Sequence, residues 1–165
     1  MNAINTATVM HAAIIVENLD DAVDAWTALL GAEPVFMQVA DTRDDEYRGS
    51  PTSARCRQAI FDLGGFQIEL MEAVGEPSVW ADYLNEQGAG LHHIAFSVRG
   101  MEEGIEQLGD LDAPLVQRGE FPNGRYAYFD QSRFGAMIEL LEFDPGHPQH
   151  ASPQGGLGND SGPLG

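Results

Sequence analysis

Short apolar runs and stretches of helical spacing alternate along this chain, and their order repeats. Met10 to Val16 is a run of β-branched and small apolar residues that predicts a strand. Leu19, Val23, Trp26 and Leu30 then recur at helical spacing, with Asn18 or Asp20 as the cap, an acidic first turn and Gly31 as the stop. A strand follows at about Pro34 to Val39. Residues Ala40 to Ala54 show no apolar period and predict a polar loop carrying Arg43, Asp44, Asp45, Glu46 and Arg48. Strands at Arg57 to Asp62 and Phe66 to Glu72 are joined through Gly64-Gly65, a hairpin signal. The unit reads strand, helix, strand, strand, strand.

The same order returns with shorter parts: a strand from His93 to Val98, a helix through Met101, Ile105 and Leu108, then strands at Pro114 to Arg118, Arg125 to Asp130 and Ala136 to Phe143. Ser78 to Gly88 reads as a capped short helix that links the units and roofs the space between them. The tail from Asp144 onward is rich in Gly, Pro and Ser and predicts disorder, so His147 and His150 are assigned no chemistry. At 165 residues the chain predicts one α+β domain of two βαβββ modules. Module one covers about 9–75, the linker helix 77–88, module two about 91–143 and the tail 144–165.

The repeat extends to individual residues. Arg57-Gln-Ala-Ile-Phe-Asp62 followed by Ile68-Glu69-Leu70 is echoed by Arg125-Tyr-Ala-Tyr-Phe-Asp130 followed by Ile138-Glu139-Leu140. Each copy is preceded by a histidine heading an apolar run, His11 and His93, with alanine two places on. Side chains alternate across a strand, so Glu69 and Glu139 face away from their apolar neighbours, and His92 faces away from His93. A carboxylate on a partly apolar sheet face is costly unless it is paired or metal-bound. If the modules pack symmetrically, two imidazoles and two carboxylates converge, a donor set suited to a divalent Zn, Ni, Co, Fe or Mn ion. Four protein ligands leave an octahedral ion two open positions, which suit two neighbouring substrate oxygens.

Composition narrows the partners. There are 26 acidic and 8 basic residues, a net charge of -18, and every basic residue is arginine. That charge repels phosphate backbones and anionic lipid, so nucleic acid and membrane are not expected partners. No apolar run approaches the ~20 residues that span a bilayer, and no secretory signal is read at the start, so a cytoplasmic location is expected. The single Cys56 has no partner for an intramolecular disulfide and reads as a small apolar filler, although Arg55 and Arg57 flank it.

On these residues the chain resembles the vicinal oxygen chelate superfamily, which includes glyoxalase I, methylmalonyl-CoA epimerase, extradiol dioxygenases and bleomycin resistance proteins. The segment Gly90-Leu-His-His-Ile-Ala-Phe96 and the helix beginning Pro77-Ser-Val-Trp80 resemble methylmalonyl-CoA epimerase and its relatives. The resemblance implies paired βαβββ units forming curled mixed sheets around a metal held by His11, Glu69, His93 and Glu139. It also implies a homodimer. The dioxygenases of the superfamily lack a carboxylate ligand where Glu69 stands, and its bleomycin-binding members lack the metal set. The implied activity is therefore an isomerase or epimerase that moves a proton beside a metal-chelated carbonyl, with an acyl thioester or similar vicinal-oxygen substrate. A glyoxalase-like lyase acting on a thiol adduct of a 2-oxoaldehyde is one alternative, and a small-molecule (antibiotic) binding protein is another.

The resemblance further implies a catalytic glutamate before the third strand of module one, where this sequence has Ser53 or a neighbour. Glu139 is accordingly the first candidate for the base and Glu46 the second. Arg57 and Arg125 stand at equivalent repeat positions and are the candidate substrate contacts, as arginine suits a carboxylate or phosphate.

Overall fold

The computed structural model describes residue 4 and residues 6–148. Its elements run β1 (Thr6–Ile15), α1 (Leu19–Leu30), β2 (Phe36–Val39), β3 (Arg43–Tyr47), β4 (Ser50–Pro51), β5 (Arg55–Asp62), β6 (Gln67–Val74), α2 (Val79–Gln87), β7 (Gly90–Val98), α3 (Met101–Asp110), β8 (Leu115–Phe121), β9 (Gly124–Phe129) and β10 (Met137–Phe143). Asn18 accepts a hydrogen bond from Asp21 N and Gly31 closes α1 in the left-handed region at φ 68°, a conformation glycine adopts without a Cβ penalty.

The strands form one curled ten-stranded sheet in the order β2-β5-β6-β1-β7-β10-β9-β8-β3-β4. Within each module the first strand lies parallel to the last, β1 against β6 and β7 against β10. The modules meet where β1 runs antiparallel to β7. The helices α1 and α3 cover the outer face, and α2 packs against β6, β1 and β7. Among the described residues no helix is long and apolar enough to cross a membrane.

One expectation is corrected. The segment read as a polar loop contains β3 and β4, and β3 leaves module one to pair antiparallel with β8 of module two. Its inward residue is Asp45, 3% exposed, which accepts hydrogen bonds from Arg55 Nη1 at 2.9 Å, Thr42 Oγ1 at 2.8 Å and Tyr126 Oη at 2.6 Å. These bonds satisfy a carboxylate that would otherwise be costly to bury. The crossing leaves no room at Gly119, where a Cβ would collide with Asp45 Oδ1 and the Tyr126 ring.

The sequence echo follows from this architecture. On β5 and β9 the residues Ala59, Phe61, Ala127 and Phe129 are buried beneath the outer helices, together with Leu70 and Leu140 from β6 and β10. The intervening residues Gln58, Ile60, Tyr126 and Tyr128 face the concave side, where they line a cavity. Asp62 and Asp130 each accept a hydrogen bond from the backbone N–H two residues on, at Gly64 and Ser132, which turns the chain out of the strand. The repeated arginines have a structural partner as well. Arg57 pairs with Glu72, whose carboxylate accepts Leu19 N at the start of α1, and Arg125 pairs with Glu142, which accepts Gly100 N at the start of α3. Each outer helix is thus anchored to its sheet by an Arg–Glu pair at its positive end.

Candidate metal centre

The central strands place the four candidate ligands by register. Glu69, Ala13, His93 and Met137 lie in one row across β6, β1, β7 and β10, and Gln67, His11, Ala95 and Glu139 lie in a second. Each histidine is therefore opposite an alanine of the other module. Ala13 and Ala95 are fully buried, and their small side chains leave the space that the imidazoles and carboxylates occupy.

His11 Nε2 lies 3.0 Å from Glu69 Oε2, 3.1 Å from Glu139 Oε2 and 3.0 Å from His93 Nε2. His93 Nε2 lies 3.1 Å from Glu139 Oε2 and 3.6 Å from Glu69 Oε2. All four residues are buried. One imidazole nitrogen carries a single proton or a single lone pair, so it cannot satisfy three such neighbours by hydrogen bonding. Glu139 Oε2 indeed has no hydrogen-bond partner of acceptable geometry. A point equidistant from atoms spaced this way lies about 2 Å from each, the length of a bond from a divalent transition metal to nitrogen or oxygen. The donor set, its spacing and the orphaned carboxylate oxygen all fit such an ion.

Without an ion the cluster holds a proton. Burial opposes a charge on His11 more than any other single effect, but the combined pull of Glu69 and Glu139 outweighs it and raises its pKa to about 10. Burial likewise opposes charge on Glu139, and His93 and His11 overcome it to hold the carboxyl far below the usual range.

His92 departs from the expected alternation. Ala13 pairs with His93 and Ile14 with Leu91, so His92 is the extra residue of a β-bulge, which turns its ring toward that of His93. His92 Nε2 lies 3.3 Å from the Val79 carbonyl oxygen and His92 Nδ1 lies 2.8 Å from His93 Nδ1. Burial, reinforced by His93, lowers the His92 pKa to about 3, so the ring is neutral. The Val79 carbonyl can only accept, hence His92 Nε2–H donates to it and bare His92 Nδ1 accepts from His93 Nδ1–H. This chain engages His93 Nδ1–H and leaves Nε2 as the nitrogen that faces the cluster.

The cluster opens into a cavity of 470 Å³ between the modules. Its wall from module two and α2 is aromatic and aliphatic, including Trp80, Tyr128, Leu141 and Phe143, whereas the module-one wall sets the amides of Gln38, Gln58 and Gln67 among apolar Val35, Phe36, Ile60 and Met71. These amides were not singled out from sequence, although Gln58 and Gln67 alternate with the echoed core residues. Cys56 lines the cavity as a buried thiol whose pKa burial pushes well up, and Arg55 pairs with Asp45 instead. Glu46 is exposed on β3 and Ser53 is exposed before β5, and neither lines the cavity. Arg57 and Arg125 do not line it either, since the anchoring pairs described above, extended by Asp20 and Asp144, engage both. His147 does reach the cavity rim, stacked on Phe143 with ring centroids 4.7 Å apart, while His150 lies outside the described residues.

Comparison with known proteins agrees with this geometry. A family profile described as the glyoxalase/bleomycin resistance protein/dioxygenase superfamily matches residues 10–129. The chain is 28% identical over 146 residues to the uncharacterized protein YqjC of Bacillus subtilis, covering 85% of this chain and 94% of that protein. It is also 28% identical over 153 residues to 2-epi-5-epi-valiolone epimerase of an Actinomyces species, covering 85% of this chain and 81% of the relative. The crystal structure of methylmalonyl-CoA epimerase from Mycobacterium tuberculosis superposes with a TM-score of 0.61 at 24% identity, covering 88% of this chain and 93% of that one.

Proposed function

This chain belongs to the glyoxalase/bleomycin resistance protein/dioxygenase superfamily, and we propose that it is a metal-dependent isomerase that moves a proton on the carbon beside a chelated carbonyl. The observation that carries the reading is the buried quartet His11, Glu69, His93 and Glu139, with one carboxylate oxygen left without a hydrogen bond at the floor of a cavity. A divalent ion held by these four residues would supply Lewis acidity, lowering the cost of negative charge on a carbonyl oxygen.

The remaining work falls to the chain's own groups. The oxygen of Glu139 not engaged by the ion takes the proton from carbon as general base. Glu69, its counterpart in the other module, would deliver to the opposite face a proton drawn from solvent onto its oxygen not engaged by the ion, which inverts the configuration, while Glu139 releases the abstracted proton to solvent. The buried rings of Trp80 and Tyr128 keep water from the reacting carbon. Two relatives being named epimerases supports this chemistry. Two substrate classes satisfy it. One is an acyl thioester, as in the structure of methylmalonyl-CoA epimerase in complex with methylmalonyl-CoA and NH4+; the other is a hydroxy carbonyl of the kind the valiolone epimerase name indicates. A homodimer completes the proposal, because β2 ends the sheet with Phe36, Met37 and Val39 exposed and a second copy would cover that edge. Light scattering that returns only monomer at micromolar concentration would remove the dimer.

The test of the activity is exchange in deuterium oxide. Metal-loaded protein exchanges the carbon-bound proton of a chelating carbonyl compound, metal-stripped protein does not, and Glu139→Gln loses exchange at least about 100-fold beyond any loss of metal. Conversion of a methylglyoxal thiol adduct to a hydroxyacyl thioester, with no exchange elsewhere, would replace the isomerase by a lyase. Tight ligand binding with no turnover of any kind would place the chain among sequestering proteins.

A further inference from the structure

Both walls of the cavity carry apolar side chains, and one of them adds a set of amides that specifies a ligand. On one side Gln38 of β2 and Gln58 of β5 are directly paired in register, and Gln67 of β6 lies beside His11. The amides of Gln38 and Gln67 have no protein hydrogen-bond partner among the described residues, so they are open to a ligand. An amide offers two donors and an acceptor with two lone pairs, which complements hydroxyl groups that both give and take hydrogen bonds. The facing wall presents Trp80, Tyr128, Leu141 and Phe143, surfaces for C–H groups and not for charge.

Charge points the same way. Among the described residues no arginine lines the cavity, and seven of the eight arginines are already ion-paired. The eighth, Arg99, carries an interaction of its own. A phosphorylated ligand would have to break such pairs and approach a chain of net charge -18. Asp41 at the cavity repels it further.

We propose that the substrate is a compact, uncharged, polyhydroxylated carbonyl compound with one apolar C–H face, sugar-like in its chemistry, and not a coenzyme A thioester or a phosphate ester. The inference rests on the proton-transfer reading for the reacting carbon, while the glutamine wall and the missing cations set the substrate class by themselves. Hydroxyls that meet Gln38, Gln58 and Gln67 orient the ring so that adjacent carbonyl and hydroxyl oxygens reach the quartet. The cavity volume of 470 Å³ lies within the range of small-molecule pockets.

The experiment uses the full chain loaded with cobalt(II), whose visible spectrum reports ligands entering the coordination sphere, together with proton exchange in deuterium oxide. The probes are scyllo-inosose, a neutral pentahydroxycyclohexanone; 2-hydroxycyclohexanone, which lacks the further hydroxyls; fructose and fructose 6-phosphate; and methylmalonyl-CoA. The expected result is a spectral shift and exchange with scyllo-inosose, at least about tenfold tighter than with either phosphorylated probe. Gln58→Leu should weaken scyllo-inosose at least about tenfold and change 2-hydroxycyclohexanone less than about twofold. Gln38→Leu, at an exposed position, should act in the same direction without disturbing the fold. Methylmalonyl-CoA binding and exchanging as well as or better than every neutral probe would overturn the substrate class and leave proton transfer standing. Neutral probes that bind without exchange would uphold the class and overturn proton transfer. No spectral shift with any neutral probe up to about 10 mM would overturn the class.

Discussion

Binding of a divalent ion should expel a proton from His11. In the ion-free cluster this imidazole sits 3.0 Å from Glu69 Oε2 and 3.1 Å from Glu139 Oε2, and its pKa is raised to about 10. Coordination requires the neutral ring. At pH 7.5 deprotonation is uphill by roughly two to three pH units, or about 3 kcal/mol, which lowers apparent affinity by a factor on the order of hundreds. The affinity should therefore rise about tenfold per pH unit through neutral pH and level off near 10. Glu139 adds no proton to this count because its carboxyl is held well below the usual range. Stability carries the matching sign. Ion-free His11 stabilises the fold fully below its unfolded value near 6.5 and loses that contribution as pH rises through about 10. Glu139 contributes above about 4.5 and loses its contribution as pH falls toward its lower folded value. The gap in Tm between cobalt-loaded and ion-free protein should consequently widen between pH 6.5 and 8.5. Calorimetry in buffers of different ionisation enthalpy, with a chelator setting the free ion, should return a proton release from His11 of about one at pH 7.5. Affinity independent of pH with no proton released would refute the reasoning.

Two further predictions follow from the surroundings of the cluster. His92→Phe keeps an aromatic ring but removes the acceptor for His93 Nδ1–H, so cobalt affinity should fall about 10- to 100-fold while the circular dichroism spectrum is retained. Arg57→Met and Arg125→Met should each lower the urea midpoint, through loss of a charge-assisted helix anchor, and leave kcat/KM for any substrate within about twofold. A large rise in KM in either arginine variant would return these residues to the substrate site.

Much of this arrangement could be read from the residues, and the failures have physical causes. The echo around Glu69 and Glu139, with His11 and His93 ahead of it, predicted a convergence that the register of β1, β6, β7 and β10 produces. Helix caps at Asn18 and Ser78 were legible because side-chain oxygens close to the backbone act locally. The strand β3 was not legible, since its inward residue is a carboxylate whose partners Arg55 and Tyr126 are distant in sequence, and no apolar alternation marks it. The orientation of His92 depended on a bulge, which strict alternation does not anticipate. The role of Arg57 and Arg125 left a signal that went unused. Glu72 and Glu142 repeat three places after Glu69 and Glu139, so each echoed arginine had an echoed acid to meet.

The most direct test of the central claim is a crystal of cobalt-loaded protein measured at the cobalt absorption edge. The account predicts one anomalous peak per chain, about 2 Å from His11 Nε2, His93 Nε2 and one oxygen each of Glu69 and Glu139. Stoichiometric cobalt with its peak elsewhere, and the quartet closed by hydrogen bonds alone, would contradict it.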